Sequence, residues 1–292
     1  MKLLCRPSRY LALYNHKAYW VRPPEGYERN KPMRLPESIA AVVGGLPYAR
    51  EDIGMSGAGV LVYEDFVLKM RPEGGHDTSD TLVLRFLEGL LPVPKVIAQE
   101  NLNGMDFLLM ERLKGRMLTD ASILEKPSLL IGCMAEALER LWAVPPEKVP
   151  FPRTLDVDLA YVAQRVENGS VNPSECEPET FGPGGFASPE ALLNYLQNNR
   201  PEEDLVLTHG DFCLPNLLTD GKRLTGMIDV GDCGIADRYK DLALGWRSLK
   251  HNTDGHYGLF YPDVDPDDLF RAVGIPKDEE KLRYYLLLDE LF

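Results

Sequence analysis

The segment His209-Gly210-Asp211-Phe212-Cys213-Leu214-Pro215-Asn216 puts a carboxylate shortly ahead of an amide, and the apolar run Leu224–Ile228 then leads to a second carboxylate, Asp229. All three side chains offer hard oxygen atoms, the donors Mg²⁺ prefers. Singly, each has an ordinary reading as a turn or capping residue. In this order they suit transfer of the terminal phosphoryl group of a nucleotide: Asp211 as base, Asn216 and Asp229 as metal ligands. A carboxylate is too weak to ionise an alcohol, so Asp211 would orient the hydroxyl and accept its proton late. Positioning and electrostatics supply the remainder.

The chain has 292 residues, 44% hydrophobic and 26% charged, which suits two modest lobes of an ordinary globular protein. No apolar run approaches the roughly 20 residues that span a bilayer, so no membrane partner is expected. Arg6, Pro7 and Arg9 interrupt the first leucines and make a poor signal peptide, so a cytoplasmic address is expected. The five cysteines are scattered, without metal-ligand spacing, and read as reduced thiols. Cys213 and Cys233 flank the acidic loop and read as small packing residues. The net charge of −13 argues against a nucleic-acid partner and suits a polycationic one.

Residues 1–33 read as a Pro-punctuated extension around a short strand at Ala18–Arg22. Pro36 opens a helix through Ile39–Val43. Strands follow at Ala49–Gly54, Gly59–Tyr63 and Phe66–Met70, then a helix at Thr78–Leu91 and a hairpin, Lys95–Gln99 with Met105–Glu111, turning at Asn103-Gly104. Beyond Leu113–Gly115 the pattern is mainly helical: Ser122–Trp142, Asp156–Asn168, Pro189–Asn199, Arg238–Asn252 and Lys277–Leu291. The loop Gly169–Gly185, rich in Gly, Pro and Glu, reads as mobile or lid-like. The expected organisation is an N-terminal extension (1–33), a nucleotide-binding lobe (34–112) and a catalytic, substrate-binding lobe (113–292). The expected fold class is α+β: a protein-kinase-like two-lobe fold, with a small β-rich lobe followed by a larger helical one.

In the first lobe, Gly54-Met55-Ser56-Gly57-Ala58-Gly59 is a small-residue turn whose backbone could approach phosphate, with the Ser56 hydroxyl as a further donor. A turn of this kind is more often a plain hairpin. Lys69 ends the apolar run Phe66-Val67-Leu68, a position suited to phosphate contact, and otherwise to a solvated strand edge. Asp80 is its candidate carboxylate partner, with Glu88 further along the helix; a helix N-terminal charge is the competing reading of Asp80. In the second lobe, His209 reads as structural, and Asp237 and Asp241 as supports for the loop and the next helix.

Three segments together resemble the aminoglycoside phosphotransferases, most closely the 3′-phosphotransferases: Phe86-Leu87-Glu88-Gly89-Leu90-Leu91-Pro92-Val93-Pro94-Lys95-Val96, Thr208 through Asn216, and Tyr284-Tyr285-Leu286-Leu287-Leu288-Asp289-Glu290-Leu291-Phe292. The similarity runs from about Pro36 to the last residue. It implies a nucleoside triphosphate (ATP or GTP) with Mg²⁺ and phosphorylation of an aminoglycoside hydroxyl, the 3′ one, giving antibiotic resistance. It also implies Asp211 as base, Asn216 and Asp229 as metal ligands, and Lys69 and Ser56 as phosphate contacts. The drug site is then expected to hold Asp289, Glu290 and the terminal carboxylate of Phe292. Arg247 is a candidate to orient those carboxylates, with a plain surface arginine as the competing reading, and Glu175, Glu177 and Glu179 either add to the anionic wall or form a solvated acidic loop. Anionic walls suit a substrate bearing several ammonium groups.

The chain departs from the family pattern at several of these positions. Asp232 stands in the drug site where arginine is usual, His251 and Asn252 stand at a commonly acidic pair, and Asp80 replaces glutamate. Val67 stands where some members stack an aromatic ring on the nucleobase. Two other readings share the motifs: a kinase of another small alcohol, such as a sugar or amino alcohol, and a nucleotide-binding protein without turnover.

Overall fold

The structure is a computed structural model that describes residues 20–21, 33–51, 59–72 and 79–292. Most of the N-terminal extension, and the small-residue turn with Ser56, lie outside these residues. The chain divides into two compact units, residues 1–114 and 115–292.

The first unit contains a short antiparallel pair, β1 (Trp20–Val21) with β2 (Met33–Arg34), and then α1 (Glu37–Val43). Five strands follow: β3 (Ala49–Glu51), β4 (Gly59–Val62), β5 (Phe66–Pro72), β6 (Val96–Leu102) and β7 (Met105–Glu111). They form one antiparallel sheet in the order β3-β4-β5-β7-β6. Alternation decides which face is covered. Leu61, Leu68, Met70, Met105, Phe107 and Leu109 point to one side and bury against Ile39, Ala40 and Val43 of α1. The residues between them, including Lys69 and Arg71, point to the other. The β6–β7 turn places Asn103 at φ 54° and Gly104 at φ 73°, the doubly left-handed geometry that matches strand twist. Helix α2 (Ser79–Leu87) is shorter than the sequence suggests, because the chain turns at Gly89 (φ 79°) before Pro92.

The second unit begins with β8 (Arg116–Met117), α3 (Ala121–Leu124) and α4 (Pro127–Trp142). The sequence suggests one helix over Ser122–Trp142. Pro127 divides it: Lys126 is pushed off helical geometry, to φ −127° and ψ 77°, and Pro127 starts the new helix at a position that needs no N–H. Helix α4 is the core of this unit, burying Leu130, Met134, Leu138 and Leu141. Helices α5 (Leu155–Glu167) and α6 (Pro189–Asn198) follow.

Two small antiparallel sheets then carry the acidic loops. Strands β9 (Leu205–Thr208) and β12 (Gly234–Asp237) form one; β10 (Leu217–Thr219) lies between β11 (Leu224–Met227) and β8 in the other. The loop containing Asp211 leaves β9 and enters β10 through a single 3₁₀ turn, Leu214–Asn216, while Asp229 lies between β11 and β12. Helix α7 (Arg238–Thr253) is capped by Asp237, α8 (Asp268–Val273) is stopped by left-handed Gly274, and α9 (Glu279–Asp289) is capped by Asp278. Helix α8 has no counterpart in the sequence reading.

Candidate active site

The loop from His209 to Asn216 is held from below by one carboxylate. Asp241, fully buried in the first turn of α7, accepts the backbone N–H of His209 at 2.6 Å and of Gly210 at 3.0 Å. Burial pushes the Asp241 carboxyl up, and the two backbone donors oppose that. His209 ties the loop backbone together: its Nε2 meets the Ile228 carbonyl at 3.0 Å and its Nδ1 accepts the Asp211 N–H at 3.3 Å. Gly210 has φ 87°, and a Cβ there would lie 2.3 Å from the Asp232 carbonyl oxygen, so both the dihedral and the space demand glycine.

This scaffold presents Asp211 with both oxygens engaged. Asn216 Nδ2 donates to Oδ2 at 2.8 Å and also to the Asp211 carbonyl at 2.9 Å. The Cys213 thiol donates to Oδ1 at 3.1 Å. Burial, and then the Asp211 charge, push that thiol well above the ordinary cysteine range, so it stays a neutral donor and not a nucleophile. Ser248 of α7 closes the loop by accepting the Leu214 N–H at 3.0 Å.

Because the Asn216 amide nitrogen faces Asp211, its oxygen is turned the other way. Asp229 is exposed and held at φ 59°, a costly conformation for a non-glycine residue. Among the described residues no cluster of three or more His, Cys, Asp or Glu forms a ready-made metal cage. Two oxygen donors suit a Mg²⁺ whose other ligands are phosphates and water.

In the first unit, Lys69 Nζ lies 3.5 Å from Asp80 Oδ2, and Asp80 is buried. Glu88, the alternative partner, is exposed near the end of the helix. The sequence reading missed Arg71, which lies closer to the same carboxylate oxygen, at 2.8 Å. Its signal was available: Arg71 is two residues from Lys69 on one strand and so shares its face.

The residues expected to meet a polycation are arranged around Arg247. Its guanidinium pairs with Asp289 and, at 3.4 Å, with Glu290. Burial works against the Arg247 charge, but Asp289 and then Glu290 hold it above the ordinary arginine range. Glu290 is itself buried, which pushes its carboxyl up, and it accepts the Glu177 N–H at 2.9 Å. The Cys176 thiol reaches the Glu290 carbonyl at 3.4 Å. The loop expected to be mobile is thus tied to the end of α9, and the Phe186 N–H to Thr180 carbonyl bond (2.8 Å) closes its far side. The last turn is tied down too: Arg165 donates to the Leu291 carbonyl at 3.0 Å, and the Phe292 ring lies 5.5 Å from that of Tyr161. Asp232 stands apart from this cluster in an exposed ion pair with Arg153, at 2.9 Å.

The model of the phosphotransferase enzyme family, APH, matches residues 60–265. An aminoglycoside 3′-phosphotransferase of Niallia circulans is 34% identical over 267 residues, covering 88% of this chain and 97% of its own. The chain belongs to the aminoglycoside phosphotransferase family. Among solved structures, an aminoglycoside-3′-phosphotransferase of type VIII superposes with a TM-score of 0.72 at 31% identity, covering 87% of this chain and 98% of its own. The aminoglycoside phosphotransferase APH(3′′)-Id of Streptomyces rimosus, in complex with ADP and streptomycin, superposes with a TM-score of 0.67 at 26% identity, covering 82% and 94%. The fold is the protein-kinase-like α+β fold that the sequence suggests.

Proposed function

We propose that this protein transfers the γ-phosphoryl group of a nucleoside triphosphate to an aminoglycoside hydroxyl, the 3′ one, and so confers resistance to the drug. The carrying observation is the fixed Asp211–Asn216 pair, both members hydrogen-bonded and set on a buried Asp241, in a chain of this family. Asp211 orients the acceptor hydroxyl and takes its proton as the bond to phosphorus forms. Asn216 and Asp229 would hold Mg²⁺, which would supply positive charge to offset that of the phosphates. Lys69, positioned by Asp80, and Ser56 contact the phosphates of ATP or GTP. The acceptor's ammonium groups meet Asp289, Glu290 and Glu177, with the Phe292 end of the chain beside them. Arg247 keeps the first two carboxylates in place. Asp232, paired with Arg153, contributes least.

A sugar or amino-alcohol kinase would have little use for two carboxylates paired with one arginine and a third, Glu177, tied to them through its backbone. Among the described residues no helix is long and apolar enough to cross a membrane, and the cytoplasm, where nucleoside triphosphates are made, is the proposed location. The test is nucleotide turnover with and without a panel of aminoglycosides, with Mg²⁺ varied and the product's phosphorylated oxygen identified by NMR. Turnover should depend on both acceptor and metal. Nucleotide turnover that responds to sugars or amino alcohols but to no aminoglycoside would overturn the assignment.

A further inference from the structure

Helix α7 ends in an exposed hairpin that packs back on the helix. The Tyr261 N–H bonds to the Thr253 carbonyl at 2.8 Å, Asp254 Oδ1 accepts the His256 N–H at 2.9 Å, and the Gly258 N–H reaches Gly255 at 2.9 Å. This turn lays His256 flat on His251 of α7, with ring centroids 4.2 Å apart and planes within 6°. Tyr257 stands edge-on to His256 at 4.8 Å and to His251 at 6.2 Å. On its other side His251 Nδ1 lies 3.7 Å from Glu177 Oε1. Glu177 in turn donates its N–H to Glu290, and Glu290 pairs with Arg247. The two imidazoles therefore form one end of the carboxylate cluster described above.

We infer that the His251–His256 stack is a proton-sensitive specificity element for the acceptor. With both rings neutral, the Glu177 carboxylate is open to an acceptor ammonium; with one ring protonated, it is engaged by the imidazolium instead. The inference rests on the polycationic-acceptor reading. Two imidazolium rings at this separation would repel strongly, so the stack takes up a single proton before a second. The groups facing His251 are Glu177 from the loop before α6, Arg247 on α7 with its partners Asp289 and Glu290, and Asp254, His256 and Tyr257 of the hairpin. Burial lowers the affinity of His251 for a proton, Glu177 opposes this, and His256 and Arg247 reinforce it. Proton uptake by His251 is thus displaced to the acid side of the ordinary histidine range.

The experiment compares acceptor KM and Kd for wild type, His251→Asn/His256→Asn and Glu177→Gln at about pH 7.5 and about pH 5.5, using the best aminoglycoside of the panel. Titration of the aminoglycoside's own amines is common to all three enzymes and cancels in their ratio. On acidification the wild-type acceptor KM should rise about three- to tenfold relative to the double variant, the effect of one nearby charge. Nucleotide KM should respond alike in all. Glu177→Gln should raise acceptor KM at both pH values and lose the extra pH dependence. His256→Asn alone, on the exposed hairpin, should show part of the flattening and guards against misfolding of the double variant. Parallel pH profiles for active wild type and double variant would overturn the inference alone. Absence of aminoglycoside phosphorylation at either pH would overturn the functional reading, and the inference with it.

Discussion

Asn216 and Asp211 are tied by two hydrogen bonds from one amide nitrogen, 2.8 Å to the carboxylate and 2.9 Å to the main-chain carbonyl. A single group therefore sets both the rotamer of the proposed base and the direction of the proposed metal ligand's oxygen. Loss of either residue disturbs the other.

Asp211→Asn should retain nucleotide binding but lower phosphoryl transfer by about 10²–10⁴-fold, the usual worth of a positioned base. Steady-state turnover, with nucleotide affinity from calorimetry, separates the two effects. Turnover near that of wild type would remove Asp211 from its role.

Gly210→Ala should destabilise the fold by roughly 1–3 kcal/mol for the left-handed backbone alone. It should lower kcat as well, because the new Cβ must displace the Asp232 carbonyl or the loop that carries Asp211. Thermal melts and kcat together test this; an unchanged melt would mean that the loop has room that the geometry denies it.

Asp80→Ala leaves two cations, Lys69 and Arg71, each only 17% exposed at the side chain, without their shared carboxylate. Nucleotide KM should rise by about one decade or more, as expected for loss of a partly buried charged hydrogen bond. Acceptor KM should change little. Arg71→Ala should give a smaller rise than Asp80→Ala, and an equal or larger one would show that Arg71, not Lys69, is what Asp80 serves.

Glu290 predicts a pH dependence of stability. Burial raises its carboxyl above the value of 4.5 for a free glutamate, so the folded state binds its proton more tightly than the unfolded state. Its contribution is complete below the free value and is lost as pH rises through the folded one. Melting temperatures of wild type and Glu290→Gln, measured from about pH 5 to about pH 8, should show wild type losing ground as pH increases. A wild-type advantage that grows with pH would mean that Arg247 and the Glu177 N–H outweigh burial.

Much of the loop's scaffold was legible in the sequence because its contacts are local: Asp211 and Asn216 stand in one short segment, and Asp241 follows where a helix begins. Lys69 and Asp80 could be paired for the same reason. Contacts that bridge distant segments were not legible. The loop around Glu177 has a mobile composition, but the buried Glu290 carboxylate takes its N–H, and composition carries no trace of that bond. Helix α8 escaped notice because Asp267 gives it no side-chain cap and only Leu269 and Phe270 are buried, too few for a period. The break at Pro127 was readable in principle, since the residue before a proline resists helical geometry.

Helix α7 carries Asp241, Arg247, Ser248 and His251 in succession, and each faces a different part of the site. At 1.5 Å of rise per residue, the interval between Asp241, which anchors the loop of the proposed base, and Arg247, which clamps the proposed acceptor carboxylates, is about 9 Å, metered by main-chain hydrogen bonds. The helix is in effect a ruler. Substitutions at Arg247 or His251 can change how the proposed acceptor carboxylates are held while Asp241 and Ser248 keep the loop of the proposed base, so drug spectrum and chemistry can vary independently within one scaffold.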